Sequence, residues 1–136
     1  MANSVVTQVI IDGPRNAIVK ITGVLDTSDV AVQTAIAMSS LNQSNTGPTP
    51  DQCRIDEIEY SVSDQLVVIL EWHATTNVVI APLAGRGEFE AKEFGGLQNN
   101  AGAGKNGTID IRTTGYASNT QTFTILLYLV KQGVNL

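Results

Sequence analysis

The sequence predicts one all-β domain, a β-sandwich of about eight strands with jelly-roll or Greek-key connections. Three observations predict this class. Segments rich in apolar and β-branched residues recur along the chain, and clusters of Gly, Pro, Asn and Asp separate them at roughly 8 to 12 residues. No segment shows a convincing helical period. Because 136 residues is the size of one domain, we assign residues 1–136 to a single unit.

The N-terminal third contains the clearest strand pattern. Residues 4–12 and 17–26 flank a Gly-Pro-Arg-Asn turn, which predicts a β-hairpin. Residues 30–41 fit both a helix and a strand, and we favour a strand because the neighbouring elements are strands. Residues 42–51 are polar and contain glycine and proline, so they form a long loop. Such a loop in an all-β chain often crosses between two sheets.

The remainder of the chain predicts six more strands. Residues 52–63 change parity in the middle, which a β-bulge near Asp56 and Glu57 would reconcile. Residues 66–72 are apolar on both parities until Glu71 and are predicted to be a central strand covered on both sides, and residues 121–131 also have apolar residues on both parities and are predicted to be central. Pro82 is predicted to end a short strand. The other strands are predicted at 78–82, 87–93 (an edge strand) and 108–113, where Ile109 and Ile111 point inward.

Composition excludes several classes of function. The net charge is −5 and the eight Lys and Arg residues are scattered, so the chain has no basic patch for nucleic acid or an anionic membrane. Cys53 is the only cysteine and is interpreted as a buried apolar residue. The N-terminus has no signal-peptide pattern, and no apolar run approaches the ~20 residues of a membrane helix. We therefore expect a soluble protein made in a cytoplasm.

The sequence predicts no catalytic residue, cofactor or metal. His73 is the only histidine and follows a strand, where a surface position is the simpler interpretation. The segment 102–108 lacks the spacing of a phosphate loop, and residues 26–29 lack the pattern of an EF-hand. Two acidic groups could face each other as a glycosidase-like pair, but we favour a charged edge that resists stray strands. These groups are Asp56, Glu57 and Glu59, and Glu88, Glu90 and Glu93.

Residues 95–107 are the most unusual stretch and are called the glycine segment below. They hold five of the twelve glycines and three asparagines, so they bury too little apolar surface to be ordered alone. They form either a mobile loop or a loop fixed against a partner chain, with Phe89 and Phe94 on one side and Ile109 and Ile111 on the other as expected anchors. The candidate partner-contact residues, two of them in the 42–51 loop, are Gly95, Gly96, Asn99, Asn100, Gly102, Gly104, Asn106, Asn45 and Pro48.

Three motifs carry a resemblance to a known family. They are DGPRN at the hairpin turn, the W.A..N pattern at 72–77, and GRGEFEAKEFGGLQNNAGAG at 85–104. With these motifs the chain resembles a family of small structural proteins of tailed bacteriophages, over most of its length. The alternation of aromatic and acidic residues in that family is replaced here by EFEAKEF. The matching residues are Asp12, Gly13, Pro14, Arg15, Asn16, Trp72, Ala74, Asn77, Gly85, Gly87, Phe89, Phe94, Gly95, Gly96, Leu97, Asn99, Asn100, Ala101, Gly102, Ala103 and Gly104.

The resemblance implies a virion component without an enzyme's active site. We expect a capsid decoration, or cement, protein on the capsid surface. Its expected partners are the major capsid protein and other copies of itself, as a dimer or trimer. One alternative is a structural component of the tail, neck or fibre base, which copy number would distinguish. A less favoured alternative is a carbohydrate-binding module, which would lose sugar binding on replacement of Trp72 or Glu88.

Overall fold

A computed structural model describes residues 3–13, 16–37, 41, 52–117 and 119–132. Within these ranges it has no helix long and apolar enough to cross a membrane. A short 3-10 helix occupies Lys92–Phe94. The described residues form nine strands: β1 (Ser4–Asp12), β2 (Asn16–Leu25), β3 (Gln33–Ile36), β4 (Gln52–Val62), β5 (Val67–Trp72), β6 (Val78–Leu83), β7 (Arg86–Glu90), β8 (Ile109–Thr114) and β9 (Gln121–Gln132).

The strands form two antiparallel sheets, which confirms the predicted β-sandwich. The five-stranded sheet has the order β1-β2-β9-β4-β7, and the four-stranded sheet has the order β3-β8-β5-β6. Strands β2 to β9 alone give β2-β9-β4-β7 facing β3-β8-β5-β6, which is the strand order of a jelly roll. Strand β1 is an addition that pairs with β2 at the outer edge. The loop 42–51 lies outside the described residues, but β3 and β4 on either side of it belong to different sheets, as predicted.

The core lies between the two sheets and is built by period-2 alternation. Strand β9 lies between β2 and β4, which confirms its predicted central position. Its inward side chains are almost fully buried against those of β5 and β8. The main contributors are Phe123, Ile125, Leu127 and Leu129 from β9, Leu70 and Trp72 from β5, and Ile109 and Ile111 from β8.

The predicted bulge in β4 is confirmed. The register of β4 against β9 shifts between Ile55 and Glu57. The extra residue turns Ile55 and Ile58 toward the same core, and both have 0% exposure. A strand whose apolar residues change parity therefore keeps one continuous buried face.

Three strand predictions need correction. The ambiguous segment 30–41 contains only the short strand β3, at the edge of the four-stranded sheet. Strand β5 is central, but it is not covered on both sides, because Val67 and Ile69 on its outer face are half-exposed. Pro82 does not end β6, which runs to Leu83. An edge strand tolerates this proline because a backbone nitrogen that faces away from the sheet has no ladder hydrogen bond to donate, so the N–H that proline lacks is not needed.

The close approach of β2 and β9 at Gly23 provides a test of the packing. A Cβ added at Gly23 would lie 2.1 Å from the ring of Phe123. We therefore expect Gly23→Ala to lower the free energy of unfolding by ~1–3 kcal/mol, because the buried ring must shift. Gly102→Ala is the matched control, since its Cβ would meet nothing within 4 Å. Urea unfolding measures both, and equal stability of the two variants would contradict the packing described.

Candidate functional site: the glycine segment and its support

The glycine segment is fixed to its own sandwich by backbone hydrogen bonds. Leu97 and Ile55 exchange two of them, at 2.7 Å and 3.0 Å. Further along, the N–H of Thr75 donates to the carbonyl of Ala103 at 3.0 Å, and Ala101 is buried. The segment is therefore held in place by its own domain. It needs no partner chain for this, unlike the fixed loop that the sequence suggested.

The expected anchors are half correct. Ile109 and Ile111 are fully buried beside the end of the segment, as predicted. Phe89 and Phe94 are 44% and 70% exposed, so the prediction that they anchor the segment is wrong. The buried residue on that side is Ala91, whose N–H donates to the carbonyl of Asp56 on β4 and whose carbonyl accepts from Gly96. Backbone hydrogen bonds thus replace the expected aromatic packing.

Two glycines are required by the contacts within the chain. Gly96 and Gly104 both have a φ of +85°, in the left-handed region that disfavours side chains. A Cβ at Gly96 would lie 2.9 Å from the Asp56 carboxylate, and one at Gly104 would lie 2.5 Å from the Thr75 hydroxyl. Close internal approach is therefore sufficient to explain both glycines.

Two asparagines in the segment are also held internally. The side chain of Asn99 donates to Gln52 and accepts from the N–H of Ala101, both at 2.9 Å. The side chain of Asn106 accepts from the N–H of Thr108 at 3.0 Å. Both arrangements order the local backbone, as asparagine does in turns.

Three of the candidate contact residues face outward, although the backbone of Gly95 bonds Lys92 and Gln98 and the carbonyl of Gly102 accepts from the N–H of Lys105. Gly95, Asn100 and Gly102 are exposed, and Gly95 and Gly102 have open space where a Cβ would be. Asn45 and Pro48 lie outside the described residues. Contact of any of the nine candidates with a partner stays a prediction. The structure adds which of the described candidates face outward and which are held by side-chain or Cβ contacts within the chain.

A polar network supports the turn on which the segment rests. His73 Nδ1 lies 2.7 Å from Asp110 Oδ2, and Asn77 Nδ2 donates to the same oxygen at 3.0 Å. Asn77 also donates to Glu71 and accepts from the N–H of Ala74, while Arg112 pairs with Glu71 at 3.0 Å. The Asp110 side chain is 5% exposed and the His73 side chain 44% exposed. The network fixes the geometry of residues 73–77.

Sequence reasoning missed this network. His73 was considered alone, because the sequence does not reveal that β5 and β8 are neighbours. The sequence did contain one signal for the network. Glu71 and His73 are two residues apart, as are Asp110 and Arg112, so the members of each pair share one face of their strand. That face is the one opposite the inward-facing isoleucines of β8. In catalytic triads, an Asp that accepts a hydrogen bond from the imidazole Nδ1 orients a histidine that acts as a general base. Here the further hydrogen bonds of Asp110 connect the pair to the turn at residues 73–77.

The acidic residues of β4 and β7 come together as the sequence suggested. Glu59 is paired with Glu88 and Glu57 with Glu90 across the two strands. One carboxylate oxygen from each of Glu57, Glu59 and Glu88 lies within 4.8 Å of the others. A hydrogen bond with Glu59, followed by desolvation and the charges of Glu59 and Glu88, raises the pKa of Glu57 to about 7. Glu88 lies on the edge strand β7, and Glu57 and Glu59 lie on its neighbour β4, so the charge of the group sits beside this edge and discourages pairing.

The other acidic residues have separate duties. Asp56 pairs with Arg54 at 3.0 Å, and Glu93 lies in the 3-10 helix. Asp29 Oδ1 accepts from the hydroxyl of Thr113 at 3.1 Å and from the N–H of Tyr116 at 2.9 Å. The turn at 26–29, considered above as a source of calcium ligands, thus connects to the end of the four-stranded sheet.

Comparison with known proteins adds little to this geometry. No protein-family model matches the chain, and no curated protein matches it in sequence. Among solved structures, a cupin domain from Bordetella pertussis Tohama I is similar with a TM-score of 0.39 and 8% identity, over 97% of this chain and 98% of that chain. We draw no functional argument from similarity at this level.

The polar network generates a prediction about the glycine segment. Asn77→Ala removes the acceptor of the Ala74 N–H and the donor to two buried carboxylates, so we expect a loss of ~1–3 kcal/mol in the free energy of unfolding. We also expect faster hydrogen exchange at the N–H of Thr75, which bonds Ala103. Thr76→Ala, an exposed position in the same turn, is the control. Unchanged exchange at Thr75 would contradict the support described.

The carboxylate group generates a prediction about pH. Glu57 binds a proton more tightly in the folded chain, with a pKa of about 7 against an ordinary value of 4.5. Between these values the folded state holds more protons than the unfolded state, so the contribution of Glu57 to stability falls as pH rises. We expect Glu57→Gln to be progressively more stable than the wild type from pH 5 to pH 8 in urea unfolding at low salt. Glu93→Gln should leave that slope unchanged, and a wild-type slope in Glu57→Gln would refute the raised pKa of Glu57.

Proposed function

We propose that the protein is a structural component of a tailed-phage virion, and specifically a capsid decoration protein that binds the outside of the major capsid lattice. The resemblance of the DGPRN, W.A..N and glycine-segment motifs supports a phage structural role. The observation that carries the specific proposal is geometric. The glycine segment is held by the sandwich at Leu97, Ala101 and Ala103, yet it presents Gly95, Asn100 and Gly102 to solvent.

Such a segment has the properties of a preorganised contact. A loop that is ordered before it binds does not pay its ordering entropy on association, which leaves more of the interaction energy as affinity. Exposed glycines let the backbone of a partner approach closely. The amide of Asn100 offers donors and an acceptor to a partner's main chain.

The contact is expected to depend on hydrogen bonds and shape more than on charge. Lys105 is the only charged residue in the glycine segment. The main acidic cluster, with Glu59 and Glu88, lies instead on β4 and β7. Added salt screens charge pairs and should therefore weaken capsid binding only slightly.

The role of the protein would follow from mass action. A ligand that binds the assembled lattice and not the free subunit stabilises the lattice by RT ln(1 + [L]/Kd) at each site. The contribution of one site is small, and the repetition of the site over the shell makes the total large. The chain needs only a stable scaffold and a presented contact surface for this role.

The proposal is tested by changing an outward position of the segment. Gly102→Asp places a charged side chain in open space, so the fold should be kept while a close partner is displaced. We expect at least a roughly tenfold loss of affinity for undecorated capsids, equivalent to ~1.4 kcal/mol. Thr114→Asp is the control, because Thr114 is exposed at the end of β8 away from the segment. Occupancy is measured by co-sedimentation with capsids, and equal binding of both variants would remove the segment from the contact.

A further inference from the structure

The two edges of the five-stranded sheet differ in kind. The β7 edge is five residues long and carries Arg86, Glu88 and Glu90. The β1 edge is nine residues long and carries no charged residue before Asp12, and no proline. Short length, charge, proline and β-bulges are devices by which proteins prevent an edge from pairing with another chain. The β7 edge has two of these devices, whereas the β1 edge has only a register shift between Val9 and Ile11 and none of them from Ser4 to Val9.

The exposed apolar side chains concentrate on the unprotected edge. Val6, Ile10 and Ile11 of β1 are 55%, 48% and 50% exposed. Val24 on the neighbouring strand β2 adds another at 44%. Val6 pairs with Thr22, and Val24 pairs with Ser4, so both valines lie on the outer face of the sheet. Contiguous exposed apolar residues of this kind mark interaction surfaces.

The backbone of β1 has a free side. Among the described residues, β1 forms a ladder with β2 alone, which occupies one of its two edges. The N–H and C=O groups of the other edge can therefore form a ladder with an added strand. The side chain of Thr7 donates to the carbonyl of Ala35 at 2.7 Å, which fixes the strand against the four-stranded sheet.

We propose that this edge binds the same edge of a second copy of the chain. The two β1 strands pair antiparallel about a twofold axis, which joins two five-stranded sheets into one continuous sheet. An axis perpendicular to the sheet keeps the outer face of each copy on the same side, so the exposed Val6 side chains of the two copies become neighbours across the axis. The register against β2 is regular from Ser4 to Val9 and shifts before Ile11, so the axis lies near Val6 and Thr7.

The distribution of charge favours this edge as the place where a second copy binds. The chain carries −5, so two copies repel each other over most of their surface. The hairpin 4–25 is the exception, because it has one acidic residue, Asp12, and two basic ones, Arg15 and Lys20. A strand without charge that meets itself places no like charges opposite each other. The inference concerns the chain in solution and does not depend on the proposed capsid role.

Sedimentation velocity of the full chain tests the proposal. We expect a dimer at micromolar concentration and a shift toward monomer for Val6→Lys, with at least a roughly tenfold weaker dimer. Val79→Lys is the matched control, because Val79 is 47% exposed on β6, an edge strand of the other sheet. Circular dichroism confirms that both variants are folded. A monomeric wild type at millimolar concentration, or a Val6→Lys dimer as tight as the wild type, would overturn the proposal.

Cross-linking tests the geometry independently. Cys53 is fully buried, so a cysteine introduced between positions 5 and 8 is the only accessible thiol. Residues opposite each other in an antiparallel pair have Cα atoms close enough for a disulfide. We expect at least one of Val6→Cys and Thr7→Cys to form covalent dimers under mild oxidation, much faster than Val79→Cys. Equal rates at all three positions would contradict the pairing. A monomeric wild type whose Val6→Lys variant loses capsid occupancy would assign the edge to a capsid strand instead.

Discussion

The structure depends on the insertion of β9 between β2 and β4. These two ladders connect the last described strand of the chain to its first hairpin and to the 11-residue strand β4. The inward residues of β9 form one side of the core along its whole length. At its end, the buried amine of Lys131 donates to the carboxylate of Asp12 and to the carbonyl of Gly13. Removing one member of such a buried pair leaves an uncompensated charge, which is strongly destabilising.

The position of β9 determines what the two edges of its sheet present. On one side, β2 carries β1 outward beyond the eight strands of the jelly roll, where β1 keeps apolar side chains exposed. On the other side, β4 carries β7 and the carboxylate group, in which a hydrogen bond with Glu59 helps to raise the pKa of Glu57 to about 7. The same sheet therefore has one edge suited to association and one suited to remaining free. The glycine segment is attached to the β4 side through Leu97.

Sequence patterns predicted the elements that depend on local alternation. Strands β1, β2, β4, β8 and β9 follow from period-2 burial, and the bulge in β4 follows from a change of parity that the core cannot accept. The short strand β3 was overestimated because propensity alone does not set where an edge strand stops. The anchors Phe89 and Phe94 were misjudged because an aromatic residue on an edge strand or in a short 3-10 helix has no second layer to cover it.

The polar contacts could not be predicted because they join residues far apart in the chain. Asp110 meets His73 and Asn77 only because β5 and β8 are adjacent, and strand adjacency is a property of topology. Likewise, the motif residues Gly96 and Gly104 reflect contacts with Asp56 and Thr75 that no local pattern reveals. One sequence motif can thus contain residues that order a loop and residues that the loop exposes to solvent. Only the structure distinguishes these two groups.

The central claim is that this chain decorates a capsid, and stoichiometry in purified virions tests it most directly. Heads and tails are separated, and the chain is quantified by mass spectrometry against the major capsid protein in each fraction. The account predicts that the chain is enriched in heads, at a copy number comparable to the number of capsid lattice sites. A few copies per particle, found in the tail fraction, would contradict it and would favour the tail, neck or fibre-base alternative.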